Sequence, residues 1–408
     1  TVNGSVQGGS GEQGHGVWID GGYQGSSYEN SLVVNSGGWV SSLSGNAVTF
    51  TTNGGTVENH GSVVGSVENG FIFNYGTYYT NGTDISVLPD LFVNEGGRIG
   101  LSPSYRGGPT ELTTAITGDV PVVYQVDTGT VFSILTDNSY TGGTTLAGGV
   151  VATNSNGAFS TGDIVVINPT AEIRTTSDTD LTIANNVSLA QTLTLSTADA
   201  DSSLTMSGII SGAGGISTAG PGMVVLSGNN AYTGPTSVGG GTLVAGTATA
   251  VSSGPLAIAA GATFDVNGFA YSFETLSGAG TLTSSSGSPS LTLGAAGVVY
   301  KFDGVIDSGI GAVTFNSGTA ILTGANAYTG GTTLTGGPTA IVLGNDQALS
   351  SGPITVNASY AYFYTVGDNP ITLANDIQLV QPLSVSTDAD GPSLTLTGTI
   401  SGDVALYK

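Results

Sequence analysis

The sequence repeats itself along most of its length, and this repetition constrains the fold more than any other feature. Three segments, at 135–146, 226–238 and 322–334, share a signature built on a leucine, an asparagine and a tyrosine followed by threonine and glycine. A second match aligns 161–212 with 351–402 without a gap. Repetition of this kind is typical of stacked units and is not expected of a β-sandwich.

Within each unit, short runs alternate between apolar and polar residues, as in the Leu-Thr-Leu sequences at 193–195 and 291–293. A period of two indicates strands with one buried face. The 67 glycines, with asparagine, aspartate and serine, separate these runs and suit tight corners. We find no helical spacing of apolar residues, so we expect almost no helix.

The length of the repeat selects among the all-β folds. The signature recurs about every 92 to 96 residues, which we interpret as four coils of roughly 23 to 24 residues each. We therefore predict an all-β protein, a single-stranded parallel β-helix or solenoid, with aliphatic side chains stacked in columns. A propeller with blades of roughly 40 to 50 residues is the alternative.

The charge of the chain excludes several classes of partner. Five basic residues face 28 acidic ones, for a net charge of -23. Binding to nucleic acid or to anionic membranes needs clustered lysine and arginine, so we expect neither. The chain has no cysteine, which removes disulfides, thiolate nucleophiles and thiolate-bound zinc.

The chain divides into two regions by its repeats. Residues 1–130 carry no copy of the signature, are rich in aromatic residues and are predicted to form divergent N-terminal coils, for example around 57–63 and 73–77. Residues 131–408 carry the repeats. The last unit is incomplete, because the stretch 220–226 has no counterpart after residue 408. We therefore expect a longer precursor.

The segment 322–337, LTGANAYTGGTTLTGG, closely resembles the autotransporter passenger-associated repeat of Gram-negative bacterial surface proteins. The stretches 253–268 and 276–282 are similar to the family's usual lead-in, and the resemblance covers about residues 131–408. It implies a right-handed parallel β-helix that is extracellular or on the bacterial cell surface. It also implies export through a C-terminal outer-membrane β-barrel, which we expect in the precursor.

Catalytic chemistry finds little support in the sequence. Gly14-His15-Gly16 matches one element of polygalacturonases, but their paired aspartates are absent, and Arg98-Ile-Gly only approaches their basic element. Asp307-Ser308-Gly309 lacks the glycine that precedes it in serine-protease passengers. With so few general bases, we predict no enzyme, no catalytic residue and no cofactor.

Three pairs of aspartates are candidate calcium ligands, because calcium binds carboxylate oxygens. They are Asp178/Asp180, Asp199/Asp201 and Asp388/Asp390. The 190-residue offset places the last two pairs one residue out of register, which turns side chains to opposite faces of a strand. We therefore interpret these acids as solvated turn residues and predict no metal site.

Two regions are candidates for binding. In the strand 360–364, alignment of Phe363 with the buried positions Ile173 and Phe264 turns tyrosines outward where the first unit has Glu172 and Arg174. Exposed tyrosines suit stacking on sugars or packing against protein, and a lateral stack on a neighbouring coil is the alternative. The predicted binding residues are Tyr360, Tyr362, Tyr364, Trp18, Trp39, Tyr78 and Tyr79, the last four in the aromatic N-terminal region.

We interpret the asparagine and the tyrosine of each signature copy as structural residues and not as a ligand site. Asparagine tolerates a left-handed corner, and tyrosine can cover the glycines that follow it. This set is Asn138, Tyr140, Asn230, Tyr232, Asn326 and Tyr328.

Together these features predict a non-enzymatic passenger that acts as an adhesin or an extended scaffold. Its expected partners are a protein or glycan on a host or neighbouring cell, whereas self-association into fibres is expected of the alternative. The alternative is a subunit of an extracellular filament, in which coil edges or aromatic flanks join copies. A glycan-active β-helix enzyme is the third interpretation.

Overall fold

A computed structural model of the chain describes residues 111–408, apart from 114, 119–120, 128 and 388–391, and the strands before residue 102. Every regular element in this part is a β-strand, and none is a helix. The described residues accordingly contain no helix long and apolar enough to cross a membrane. The chain divides into two compact units, Thr1–Leu193 and Thr194–Lys408. The predicted boundary at residue 130 stays a prediction.

The strands of the first unit are short. They are β1 (Ser5–Gln7), β2 (Val17–Ile19), β3 (Ser31–Val34), β4 (Trp39–Phe50), β5 (Thr56–Asn59), β6 (Ser62–Glu68), β7 (Phe71–Asn74), β8 (Thr77–Thr80), β9 (Thr83–Asp84), β10 (Leu91–Asn94), β11 (Arg98–Leu101), β12 (Glu111–Leu112), β13 (Thr117–Gly118), β14 (Val122–Tyr124), β15 (Val131–Ile134), β16 (Ser139–Tyr140), β17 (Thr144–Leu146), β18 (Val150–Thr153), β19 (Ile164–Val166), β20 (Glu172–Thr175), β21 (Asp180–Ile183) and β22 (Val187–Leu189).

Strand β23 (Leu193–Ser196) lies at the boundary, and the second unit continues in the same manner. Its strands are β24 (Ser203–Met206), β25 (Ile210–Gly212), β26 (Ile216–Ala219), β27 (Met223–Leu226), β28 (Ala231–Tyr232), β29 (Thr236–Val238), β30 (Thr242–Ala245), β31 (Pro255–Ile258), β32 (Thr263–Asp265), β33 (Tyr271–Phe273), β34 (Thr275–Gly278), β35 (Thr281–Thr283), β36 (Leu291–Leu293), β37 (Val299–Phe302), β38 (Val305–Ile306), β39 (Val313–Leu322), β40 (Thr332–Leu343), β41 (Ile354–Val356), β42 (Tyr360–Thr365), β43 (Ile371–Leu373), β44 (Ile377–Leu379), β45 (Leu383–Val385), β46 (Leu394–Leu396), β47 (Ile400–Ser401) and β48 (Leu406–Tyr407).

In the first unit, strands pair in parallel with the corresponding strands of the next turn. Val122 of β14 lies opposite Thr144, Thr144 opposite Ile164, and Ile164 opposite Val187. Parallel pairing also joins β3, β5 and β7 in the aromatic N-terminal region. Two pairs there are antiparallel, β8 with β9 and β10 with β11, so this region combines solenoid pairing with hairpins.

The second unit shows how the core is built. One buried column consists of residues that lie directly opposite one another in successive turns: Tyr271, Leu291, Val313, Thr332, Ile354 and Ile377. A companion column two residues further along each strand ends in Leu334, Val356 and Leu379. Inward side chains therefore stack on one another from turn to turn, and the predicted all-β parallel solenoid is confirmed.

The turns of the solenoid vary in length, and several are shorter than the roughly 23 to 24 residues that the repeat led us to expect. Phe264 lies opposite Leu282, and Leu282 in turn lies opposite Ile306, so the second step along the chain is longer than the first. Registration is kept because the corners between strands absorb the extra residues. Each strand still places its alternate side chains inward.

Because the turns vary, the sequence unit is not a whole number of turns. In the second signature copy, Thr236 lies opposite Leu256, which lies opposite Leu276. In the third copy, Thr332 belongs to the column of Tyr271. Tyr271 and Leu276 lie on neighbouring strands of the same turn. The two copies therefore occupy different columns of the second unit.

The core column gives a direct test of the fold. Leu334 is fully buried, so we expect Leu334→Ala to lower the free energy of unfolding by about 2–5 kcal/mol, through lost apolar burial and the cavity it leaves. The adjacent outward residue provides the control, and Thr333→Ala should cost less than about 1 kcal/mol. Urea unfolding followed by circular dichroism measures both. Equal losses would contradict the assigned inward and outward faces.

Candidate binding face

Strand β42 carries the three predicted tyrosines on its outward side. Ala361 and Phe363 point into the core and are buried, as the sequence alignment predicted for Phe363. Tyr360 is 63% exposed and Tyr364 is 36% exposed, while Tyr362 is half-buried between them. The rings of Tyr362 and Tyr364 are nearly parallel, with an interplanar angle of 16° and centroids 6.0 Å apart.

The register of the sheet extends this strand into a larger surface. Tyr362 belongs to one outward column, Tyr364 belongs to a second, and Tyr360 lies opposite Pro338. The first column is Val299, Thr319, Ala340, Tyr362, Ser384 and Tyr407, and the second is Lys301, Ile321, Val342 and Tyr364. We call these residues, with Pro338 and Tyr360, the tyrosine face. Its longer column crosses six turns, about 24 Å at the usual spacing between strands.

The tyrosine face is almost free of charge although the chain is strongly acidic. Lys301 is the single charged residue in the two columns, and its Nζ lies 2.8 Å from a carboxylate oxygen of Asp303. The hydrogen bond from Lys301, with a second one from Thr323, lowers the pKa of Asp303 below its ordinary value. Val299 and Tyr407, at 65% and 57% exposed, extend the apolar surface toward both ends of the face.

The first unit contains a strand of the same design without tyrosines. Strand β20 has the sequence Glu-Ile-Arg-Thr, in which Ile173 is buried and Glu172 and Arg174 point outward. Their side chains form an ion pair of 2.6 Å. A strand at this position of the repeat therefore forms with charged outward residues, so the tyrosines are not required for strand formation.

The middle unit departs from the expected pattern at Asp265. We expected this side chain to point outward beside Phe264, but it is buried. Its Oδ1 accepts hydrogen bonds from the backbone N–H groups of Asn267 at 2.7 Å and Ser285 at 2.9 Å. The carboxylate therefore closes a corner and joins it to the next turn.

The asparagines of the signature join three consecutive turns. Asn326 is buried, and its Oδ1 accepts a hydrogen bond from the N–H of Ile306 at 2.8 Å, in the preceding turn. Its Nδ2 donates to the carbonyl oxygen of Ala348 at 2.7 Å, in the following turn. Asn138 and Asn230 make the equivalent pairs of bonds.

The hydrogen bonds of the signature asparagines explain their presence in place of the left-handed corner that we expected. Residues with positive φ among the described non-glycine positions do not include Asn138, Asn230 or Asn326, so a left-handed corner does not explain them. Two further asparagines, Asn185 and Asn375, were not predicted from the sequence. Their Nδ2 groups donate to the carbonyls of glycines in the preceding turn at 2.6 Å, and they share the 190-residue offset.

The signature tyrosines are buried and hydrogen-bonded. The hydroxyls of Tyr140, Tyr232 and Tyr328 lie 2.5, 2.7 and 2.6 Å from the hydroxyl of the threonine four residues on. Burial raises the pKa of each hydroxyl, to about 12 for Tyr140. These side chains face the core and are separate from the tyrosine face.

The remaining candidates are distributed as follows. Trp18, Trp39, Tyr78 and Tyr79 lie on strands β2, β4 and β8, and their side chains fall outside the described residues. His15, His60, Asp388 and Asp390 also fall outside them.

Asp199 accepts a hydrogen bond from Ser202 at 2.7 Å, as a turn residue does. In the described part, no group of three or more histidines or carboxylates is placed to hold a metal ion.

Several members of the tyrosine face were missed by the sequence analysis. Val299, Ile321 and Tyr407 join it only through the register of the sheet. The outward alternation along each strand was visible in the sequence. The partners across turns were not, because the length of the step differs from one turn to the next.

The asparagine bonds can be tested by substitution. Asn326→Ala leaves the N–H of Ile306 and the carbonyl of Ala348 without partners, at about 1–3 kcal/mol for each buried group. We expect a lower urea midpoint by circular dichroism. Asn326→Asp keeps the acceptor but sets a buried carboxylate oxygen against the carbonyl of Ala348, so it should cost at least as much as Asn326→Ala. Asn357→Ala, at an exposed asparagine, is the matched control, and a loss as large as that of Asn326→Ala would contradict the role.

The buried tyrosines predict sensitivity to alkali. In an unfolded chain the tyrosine pKa is about 10, and in the folded chain burial raises that of Tyr140 to about 12. The folded state therefore favours the protonated hydroxyl. The contribution of this buried, protonated hydroxyl to the stability of the fold is complete below pH 10 and is lost as the pH rises through about 12.

Tyrosinate absorbance and circular dichroism, recorded together during an alkaline titration, measure this effect. We expect unfolding to accompany ionisation of the buried hydroxyls, and the double variant Tyr140→Phe, Tyr328→Phe to lose less stability between about pH 10 and 12. Ionisation of all tyrosines near pH 10 in a folded chain would contradict the prediction.

Comparison with known proteins agrees with this architecture. The family model described as the passenger-associated-transport-repeat matches residues 134–152, 218–245 and 316–339. Each match contains one of the signature tyrosines. No solved structure matches the chain.

A curated protein, the Adhesin BmaC autotransporter of Brucella suis biovar 1 (strain 1330), is 40% identical over 158 residues. The match covers 35% of this chain and 4% of that protein, so the chain spans a small part of its relative. The resemblance found in the sequence is therefore confirmed: the chain carries three passenger-associated transport repeats and is similar to an autotransporter adhesin.

Proposed function

We propose that this chain is a non-enzymatic, adhesin-like passenger, extracellular or on the bacterial surface, that makes contact with its partner through the tyrosine face. The 40% identity to an adhesin autotransporter carries the first part of the proposal. The partner is a protein or a glycan on a host cell or on a neighbouring cell.

The tyrosine face supports the second part of the proposal. Its side chains project from parallel strands whose inward residues are fixed in the core, so the outward groups are held in defined positions. Tyrosine offers a large apolar ring with a polar tip and dominates many binding surfaces. Tyr360 and Tyr407 are more than half exposed and accessible to a partner.

Two cations of the described part support a non-enzymatic role. Arg174 is ion-paired with Glu172, and Lys301 with Asp303. Each is therefore engaged with a nearby acid two positions away in the sequence. Cleavage of a glycan by elimination needs an unpaired basic side chain beside the bond that breaks, and neither of these cations supplies one. Turnover of polygalacturonate or of peptide substrates by the purified chain would contradict this part.

The filament alternative makes a different prediction. A filament subunit forms regular fibres that lengthen with protein concentration, whereas an adhesive passenger remains discrete. Sedimentation velocity over a range of concentrations, with electron microscopy of the same samples, separates the two. Regular fibres would favour the filament.

The tyrosine face is tested by removing its aromatic rings together. We expect Tyr360→Ser, Tyr362→Ser, Tyr364→Ser to lower binding of the labelled chain to cells at least about tenfold, because tyrosines at the centre of an interface contribute most of the affinity. Flow cytometry on mammalian epithelial cells and on bacteria measures the binding. The inward residues Ala361 and Phe363 are unchanged, so the strand should persist.

The matched control lies on the equivalent strand of the first unit. Glu172→Ser, Arg174→Ser alters outward residues at the same place in the repeat and should leave binding unchanged. Absence of binding to either kind of cell would contradict the adhesive function. Equal loss in both variants would contradict the role of the tyrosine face and leave the adhesive function standing.

A further inference from the structure

We infer that the tyrosine face binds a neutral, extended oligosaccharide, whose successive sugar rings pack on Tyr360, Tyr362 and Tyr364. This inference rests on the proposed function and names the chemical class of its partner. It follows from four properties of the face: its charge, its spacing, its free hydroxyls and the residue types that are missing from it.

The charge of the face points to a neutral ligand. The chain has a net charge of -23, which repels acidic glycans and acidic protein surfaces over the Debye length. The two outward columns contain no carboxylate that would pair with a basic partner. Their one cation, Lys301, is already paired with Asp303. The two outward columns therefore present neither a carboxylate nor an unpaired cation to a ligand.

The spacing of the tyrosines points to a periodic ligand. They occupy alternate positions of one strand, so they recur at about 6.6 Å, the length of two residues. Tyr362 and Tyr364 hold nearly parallel rings. A linear oligosaccharide presents one apolar ring face after another along its length, and each suits a tyrosine ring in the same way. The two nearly parallel rings of Tyr362 and Tyr364, with the exposed Tyr360 two positions before them on the same strand, match that repetition.

The hydroxyls of the face are available to a sugar. Among the described residues, the hydroxyls of Tyr360, Tyr362 and Tyr364 have no hydrogen-bond partner, in contrast to the buried hydroxyls of Tyr140, Tyr232 and Tyr328. Ser384 adds a half-buried hydroxyl directly beside Tyr362. Phenol and alcohol groups both donate and accept, as sugar hydroxyls do.

The residue types that are missing argue against a protein partner. Tryptophan and arginine, with tyrosine, are the side chains that dominate protein interfaces. The sequence has no tryptophan after Trp39 and no arginine after Arg174, so neither is present anywhere in the second unit. The face therefore has rings for stacking without the charged anchors of a protein interface.

Binding of the full chain to an array of neutral oligosaccharides that includes cellohexaose, laminarihexaose and mannohexaose tests the inference. Hexagalacturonate serves as the charged counterpart. We expect a neutral probe to bind, with a Kd that is the same at low and high salt because no ion pair is formed. Calorimetry with the best probe gives the Kd for each variant.

Two variants separate ring stacking from fold. Tyr362→Ala, Tyr364→Ala should weaken binding by about tenfold or more through loss of two rings, whereas Tyr362→Phe, Tyr364→Phe should retain most of it. Glu172→Ser, Arg174→Ser is again the control. Circular dichroism must be the same for all variants, and the phenylalanine pair keeps the test valid if the alanine pair fails to fold.

Each result decides between the inference and the proposed function. No binding to any neutral probe, or preference for hexagalacturonate, would overturn the inference. Cell binding that depends on the tyrosines yet survives enzymatic removal of cell-surface glycans would also overturn it and assign the face to a protein, while the adhesive function stands. A chain that binds no cell at all would overturn the adhesive function itself.

Discussion

The structure depends on parallel registration between successive turns. Each turn places its inward residues directly over those of the turn before, as in the column from Tyr271 to Ile377. The backbone groups of each strand find partners in the adjacent turns, and apolar side chains are buried in the same step. Since a slip of one residue would turn every inward side chain outward, the alternation of the sequence and the pairing of the backbone enforce each other.

Registration must be maintained through corners of varying length, and the signature residues act there. An asparagine that bonds forward and backward fixes the position of its corner relative to both neighbouring turns. In the second and third copies a glycine precedes it, Gly228 or Gly324, where a Cβ would collide with the carbonyl oxygen of a glycine one turn earlier. Close backbone approach at this corner allows the asparagine to reach both turns.

The sequence was sufficient for the strands and the inward positions but not for the corners. Leucine and threonine alternate visibly, so Ile173, Phe264 and Phe363 were assigned to the core correctly. The burial of Asp265 and the hydrogen bonds of Asn326 depend on residues about 20 positions away, at separations that differ from turn to turn. A fixed repeat length in the sequence therefore does not identify which residues will be hydrogen-bonded partners across turns. The same variation hid Val299 and Tyr407 from the predicted binding strand, although each is outward on its own strand.

The inward side chains of each strand form the core and the outward side chains form the surface. This separation explains how one repeat can present different surfaces. Strands β20 and β42 have the same place in the repeat and each buries its inward side chains, yet one carries an ion pair outward and the other a row of tyrosines. Inward residues are constrained by the column above and below them. Outward residues are constrained chiefly by the neighbours they touch, at a cost of a few tenths to about 1 kcal/mol. A repeat of this kind can therefore change the chemistry of its surface while its core and its pairing remain the same.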